Sequence, residues 1–129
     1  MENIPRVNIT TSYFSQLRLI ASPVSIARNE PAWFKASTKY QAYKKLAPSW
    51  SLLGKAKQGK IGQEKYVKIY YQTVLDLHNP MEIVNELLAL FGPAPTLLCW
   101  EAPDKFCHRR LVANWLEERI GLTVPELDL

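Results

Sequence analysis

The sequence predicts a small α/β domain of Rossmann-like layer type, with a short, mostly parallel sheet and helices on both faces. Two observations carry that prediction. The chain has 129 residues, 47% hydrophobic and 22% charged, which suits one globular domain over 1–129. Short β-branched or apolar runs alternate with segments whose apolar residues recur at helical spacing, the alternation that parallel sheets require.

Val7 to Thr11 alternates apolar and polar residues and reads as a first strand. Tyr13 to Leu19 makes one or two helical turns. Pro23 sits at the entrance to a second strand, Val24–Ala27, where its missing donor costs least. Asn29-Glu30-Pro31 is a turn. Ser37 to Leu46 reads as helix, stopped by Pro48. The stretch from Pro48 to Ile61 contains Gly54, Gly59, Lys55, Lys57 and Lys60, and reads as a mobile basic loop. A helix follows Gly62 and runs to about Asp76. Asn79-Pro80-Met81-Glu82 opens the next with a capping residue, a first-position proline and a capping-box acid. Its buried stripe is Ile83, Val84, Leu87, Leu88 and Phe91, and Gly92-Pro93 ends it. Thr96–Trp100 is a near-continuous apolar run, as expected of a central strand covered on both faces. Asp104 then caps a helix from about Lys105 to Arg119, with His108, Leu111, Val112, Trp115, Leu116 and Arg119 on one face. Gly121 closes it, and Leu122–Val124 reads as a last edge strand.

Charge is distributed unevenly. Sixteen Lys and Arg against twelve Asp and Glu give a net +4, but Arg28 to Lys68 contains ten basic residues and two acids. Trp33, Phe34, Tyr40, Tyr43, Trp50 and Tyr66 are interleaved there. Cations mixed with aromatics attract phosphates and stack on bases; the same pattern also fits a solvated face with its aromatics turned inward. This basic loop and helix region spans about 36–78. No apolar run approaches the roughly 18 residues a membrane helix needs. The first residues lack the basic-then-apolar order of a secretory signal, so a cytoplasmic location and two free thiols, Cys99 and Cys107, are expected.

The densest run of chemically capable residues is Cys99 to Arg110. In open parallel sheets, ligands collect beyond the carboxyl ends of the strands. Glu101 at a strand tip suits a general base or nucleophile. Cys107 in the first turn of a helix would have its thiolate favoured by the helix terminus and by cationic neighbours. His108 stands beside it, and Arg109 is placed to hold a phosphate. The alternatives are plain: Cys99 as a small core residue, His108 on a strand-end carbonyl, Arg109 in a local ion pair. No cofactor is expected. A metal is not expected either, because Cys107 and His108 are adjacent and awkward as joint ligands.

Leu98-Cys99-Trp100-Glu101 followed by Cys107-His108-Arg109-Arg110 closely resembles the signature of the family called domain of unknown function four-eight-eight, DUF488. Its members carry Cys-x-Glu at a strand end and Cys-His-Arg at the next helix start. Thr10-Thr11-Ser12-Tyr13 looks like the family's first strand and turn. Ser25-Ile26-Ala27-Arg28 with Pro31 looks like its second, with Ser25 or Ile26 near the place of an acidic residue. Tyr43-Lys44-Lys45-Leu46-Ala47-Pro48 resembles a loop of one subgroup. The resemblance spans nearly the whole chain. It implies a Rossmann-like α/β fold and a site at these motifs, without supplying a reaction.

Three functions compete. The first is an enzyme on a nucleotide, nucleic acid or other phosphorylated substrate. In it Glu101, Cys107 and His108 are catalytic, and Thr11, Ser12, Tyr13, Arg28, Lys44, Lys45, Cys99 and Arg109 bind ligand. The second is a non-catalytic module that binds nucleic acid or protein through the 28–68 surface. The third is thiol chemistry, with Cys107 as nucleophile and Cys99 resolving.

Overall fold

A computed structural model describes residues 7–102 and 105–127. Three short parallel strands form the sheet: β1 (Thr10–Tyr13), β2 (Pro23–Ser25) and β3 (Thr96–Cys99). The order is β1–β3–β2, so the last strand in sequence is the central one. Thr10 to Tyr13 lie opposite Thr96 to Cys99, and Pro23 to Ser25 opposite Thr96 to Leu98. All four residues of β3 are buried, as its apolar run requires. Leu97 joins the larger core with Val24, Ile83, Leu87, Val112 and Trp115. Leu98 joins a smaller one on Phe14, Leu17 and Phe34.

The first strand begins three residues later than its sequence pattern predicts. Residues 93–95, which precede β3, are Pro-Ala-Pro; two of the three lack an amide hydrogen, so a full ladder cannot start before Thr96. The second strand begins at Pro23, one residue early, and ends at Ser25, although Ile26 still donates to the Leu98 carbonyl at 3.0 Å.

Both sheet edges are covered by single-residue bridges. Glu126 lies beside Thr11, and Ala42 beside Ser25, each in parallel. The expected edge strand at Leu122–Val124 is therefore replaced by a bridge at Glu126. Val124 is instead anchored through its amide, which donates to the Glu117 carboxylate at 2.9 Å. The helix expected over Ser37–Leu46 is also absent. Gln41 and Tyr43 give their backbone groups to Ser25 (2.8 Å each), and pairing with β2 outweighs local helix propensity. Only a 3-10 turn at Lys44–Leu46 remains.

The remaining elements surround this sheet. A 3-10 segment, Phe14–Leu19, follows β1. Helix α1 (Ala32–Lys35) follows Pro31. The expected loop at 48–61 contains a helix, α2 (Trp50–Lys57). Ser49 accepts from the Leu52 amide at 3.0 Å, and Leu52 is buried. Cap and burial together offset a mid-helix glycine, which costs about 1 kcal/mol. Gly59, at φ 69°, then turns the chain. Helix α3 (Gln63–Thr73) buries Tyr66 and Tyr70; the Tyr70 hydroxyl donates to the Leu46 carbonyl at 2.6 Å. Helix α4 (Pro80–Phe91) starts as predicted, with Asn79 accepting from the Met81 and Glu82 amides at 2.9 and 3.3 Å. Helix α5 (His108–Ile120) begins three residues later than expected, with Cys107 as its extended capping residue. The predicted cap, Asp104, lies outside the described residues. Leu111, Val112, Trp115 and Leu116 face inward, while Arg119 is exposed.

Candidate functional site

At the carboxyl ends of β2 and β3 the structure has a cavity of about 630 Å³. Its wall is formed by the turn after β2 (Ala27, Arg28, Asn29), by α2 and the start of α3 (Lys57, Tyr66), and by Cys99, Trp100, Glu101, Phe106, Cys107 and His108. Trp100 lines the cavity and is fixed by its indole N–H, which donates to the Asn29 carbonyl at 2.9 Å. Phe106 stands edge-on to Tyr66, ring centres 5.3 Å apart. Burial raises the Tyr66 hydroxyl to about 12, so it stays protonated as a donor.

Cys99 and Cys107 border this cavity and are joined as a disulfide, Cα atoms 6.9 Å apart. The expectation of two free thiols is corrected: β3 ends where α5 begins, and an extended Cys107 reaches back to Cys99. Cys107 keeps 8% exposure and Cys99 none.

His108 is buried. Its Nε2 lies 2.6 Å from the Ile26 carbonyl oxygen. A carbonyl only accepts, so Nε2 carries the hydrogen. Burial pushes the imidazole down to about 4, the Ile26 bond opposing and the Arg109 charge assisting. The ring is therefore neutral near pH 7, and its Nδ1 lone pair faces Cys107 Sγ at 3.9 Å.

Arg109 is fully buried and its guanidinium is engaged on every nitrogen. Nε and Nη2 donate to the two carboxylate oxygens of Glu126 at 2.9 and 2.8 Å, a two-point ion pair. Nη1 donates to the Glu101 carbonyl at 2.7 Å and to Cys99 Sγ at 3.2 Å. The Tyr13 ring lies under the cation, 5.7 Å from its centre. Burial acts to raise the Glu126 carboxyl, but bonds from Arg109 and Thr11 outweigh it and hold the group below its usual range.

The sequence-selected residues thus do not form one cluster. Arg28, Cys99, Glu101, Cys107 and His108 meet at the cavity. Thr11, Tyr13 and Arg109 belong to the Glu126 network behind it: Thr11 donates to Glu126 at 2.6 Å and accepts from Arg110 at 2.8 Å. Ser12 is buried, its hydroxyl without a hydrogen-bond partner among the described residues. Lys44 and Lys45 are bound elsewhere. Lys44 pairs with the buried Glu30 and donates to the carbonyls of Ala27 and Arg28 (2.8 and 3.2 Å), which fixes the turn after β2. Lys45 pairs with Glu86 at 2.8 Å. Arg28 itself donates to the Pro48 and Ala47 carbonyls at 2.8 and 3.3 Å. One edge gathers only part of the set, because β1 and β2 lie on opposite sides of β3.

Sequence reasoning missed Lys57, Trp100 and Phe106 as cavity residues, and Glu30 and Glu126 as counterions. Trp100 sits inside the first motif and Phe106 directly before the second, and both were open to selection on that ground. Glu126, 17 positions beyond Arg109, gave no local signal. Glu30 accepts from the Ser25 hydroxyl at 2.7 Å, so a carboxylate does reach the strand end where the resemblance lacks one.

Among the described residues, Cys99, Cys107 and His108 are the group whose donor atoms lie close enough for a shared cation, within 4.8 Å. A cation would have to separate the two sulfurs and displace the Arg109 donor from Cys99. No described helix is long and apolar enough to cross a membrane.

No curated protein and no solved structure matches the chain. A family model does, over residues 18–120: DUF488-N3a, described as the active DUF488-N3 subclade. That span holds both cysteine motifs, the turn at Arg28 and the cavity, and the chain belongs to this DUF488 family.

Proposed function

We propose that this protein is an enzyme acting on a phosphorylated ligand that carries a flat ring, a nucleotide or the end of a nucleic acid, held in the cavity above Cys107. The observation that carries the reading is the cavity's composition. Its volume falls within the usual range for small-molecule sites, its walls include Tyr66, Trp100 and Phe106, and Arg28 and Lys57 border the same space as Glu101, Cys107 and His108. Aromatic faces stack bases, and cations draw phosphate. Lys55, Lys60, Lys65 and Lys68, on α2, the turn after it and α3, are exposed in the same stretch of chain as Lys57 and take part in no ion pair among the described residues, which supports approach of a polyanion from that side. The description of the matched family as an active subclade supports catalysis over passive binding.

In this reading the reduced Cys107 is the nucleophile. Its thiol donates toward His108 Nδ1, and the weakly basic imidazole relays that proton to the leaving group as the sulfur attacks. Glu101, exposed at the cavity, is the general base for the water that then frees Cys107. Arg109 is a positioning residue: it holds the Glu101 backbone and does not touch ligand.

The test is protection of Cys107. Reduced protein is alkylated with and without mononucleotides and short oligonucleotides, and modification is read by mass spectrometry. Protection that weakens with added salt, and weakens in Lys57→Glu, is the expected result. Absence of protection by any phosphorylated ligand at millimolar concentration overturns the reading.

A further inference from the structure

We infer that Cys99 and Cys107 form a reversible thiol–disulfide couple of fixed polarity, in which Cys107 is the sulfur attacked from the cavity and Cys99 is the sulfur that leaves, held as a thiolate by Arg109. The inference rests on the surroundings of the two sulfurs and is independent of any phosphorylated ligand.

The two sulfurs differ in access and in electrostatics. Cys107 keeps exposed surface beside the cavity, while Cys99 has none. An attacking thiolate must approach along the S–S axis from the side of the sulfur it strikes, which selects Cys107. Cys99 Sγ lies 3.2 Å from Arg109 Nη1, a permanently charged donor held in place by Glu126 on its other two nitrogens. The group with a neutral partner is Cys107, which faces His108 Nδ1 at 3.9 Å. A lower-pKa thiol is the better leaving group in exchange, and a neighbouring cation lowers a thiol's pKa.

The reaction balances with a small thiol, glutathione in class, as co-reactant. The thiolate RS⁻ attacks Cys107 Sγ; the RS–Cys107 bond forms, the Cys107–Cys99 bond breaks, and the electron pair leaves on Cys99. A second RS⁻ attacks the sulfur of the bound R group, releasing RSSR and the Cys107 thiolate. That thiolate takes a proton from water, and the resulting thiol donates to His108 Nδ1. Two thiols are oxidised for one disulfide reduced. In reverse, a disulfide co-reactant is opened by Cys107 and the mixed disulfide is resolved by Cys99.

The test uses the full chain and glutathione. Cys99→Ser and Cys107→Ser are each exposed to oxidised glutathione, and adducts are timed by mass spectrometry. The Cys107 adduct in Cys99→Ser is expected to form at least about tenfold faster than the Cys99 adduct in Cys107→Ser. Equal rates, or a faster Cys99 adduct, overturn the polarity. A second measurement follows the ultraviolet absorbance of the Cys99 thiolate against pH in reduced Cys107→Ser. Titration clearly below the ordinary value of about 8.5 supports the Arg109 assignment, and titration at or above it overturns that assignment. Wild-type protein that reduced glutathione cannot open while the chain stays folded overturns reversibility. None of these readouts uses a nucleotide, so they stand or fall apart from ligand protection of Cys107.

Discussion

Lowering the pH from 7 to 5 should destabilise the fold through His108. The imidazole is buried, and its pKa lies near 4, against 6.5 for an unburied histidine. Between those values the unfolded chain binds a proton that the folded chain refuses, so stability falls as pH falls. The loss starts near 6.5 and levels off below 4. Linkage over that gap gives about 2 kcal/mol lost at pH 5 relative to pH 7, of roughly 3 kcal/mol in full. The assay is urea unfolding of the oxidised protein at both pH values, so that neither cysteine titrates. His108→Gln is the control: its amide nitrogen keeps a donor for the Ile26 carbonyl, and it has no proton to gain. Wild type should lose about 2 kcal/mol more than the variant over this interval. The carboxylate network does not obscure the result, because the stability the lowered Glu126 contributes is lost mainly as pH falls from the ordinary carboxylate value of 4.5 downward, and the control variant shares it. Equal losses in the two proteins would refute the reasoning, as they would show that His108 accepts its proton in place.

Three further outcomes follow from single contacts. Glu126→Gln leaves the Arg109 cation buried without its counterion and should cost about 3 kcal/mol in urea unfolding, the scale for breaking a buried pair. Tyr70→Phe removes the donor to the Leu46 carbonyl, both buried, and should cost about 1–2 kcal/mol; a neutral result would mean that carbonyl has found water. Asn79→Ala removes the acceptor for two first-turn amides of α4 and should cost about 1 kcal/mol, read as a lower unfolding midpoint with unchanged slope.

Patterns that act within a few residues of chain are legible in the sequence alone. Asn79-Pro80 marks the start of α4, the Thr96 run marks the central strand, and Gly121 marks the end of α5. The misread segments are those decided by distant partners. Residues 41–43 are extended because Ser25 needs an edge partner, and no local pattern reports that need. The 48–61 stretch resembles a loop because three lysines and two glycines are scattered through it, yet one cap and one buried leucine suffice to hold α2. The site is legible as motifs, and Cys99, Glu101, Cys107 and His108 do meet at one cavity. What the motifs do not convey is which cations are already paired. Arg109, Lys44 and Lys45 resemble free phosphate ligands in sequence, and each is bound to an acid between 14 and 41 positions away.

The central place of β3 governs how this chain can be made. β1 and β2 emerge first during synthesis, but they lie on opposite sides of a strand that starts 71 residues after Ser25. They cannot pair with each other in the native way while they wait, and Glu126, which covers β1 and neutralises Arg109, comes later still. A nascent chain stalled before residue 96 therefore holds two unpaired strands and no sheet, a state open to capture by chaperones or by other chains. Native structure should become resistant to protease only once the last segment is released, so timed digestion of arrested chains would show one late step rather than gradual gain.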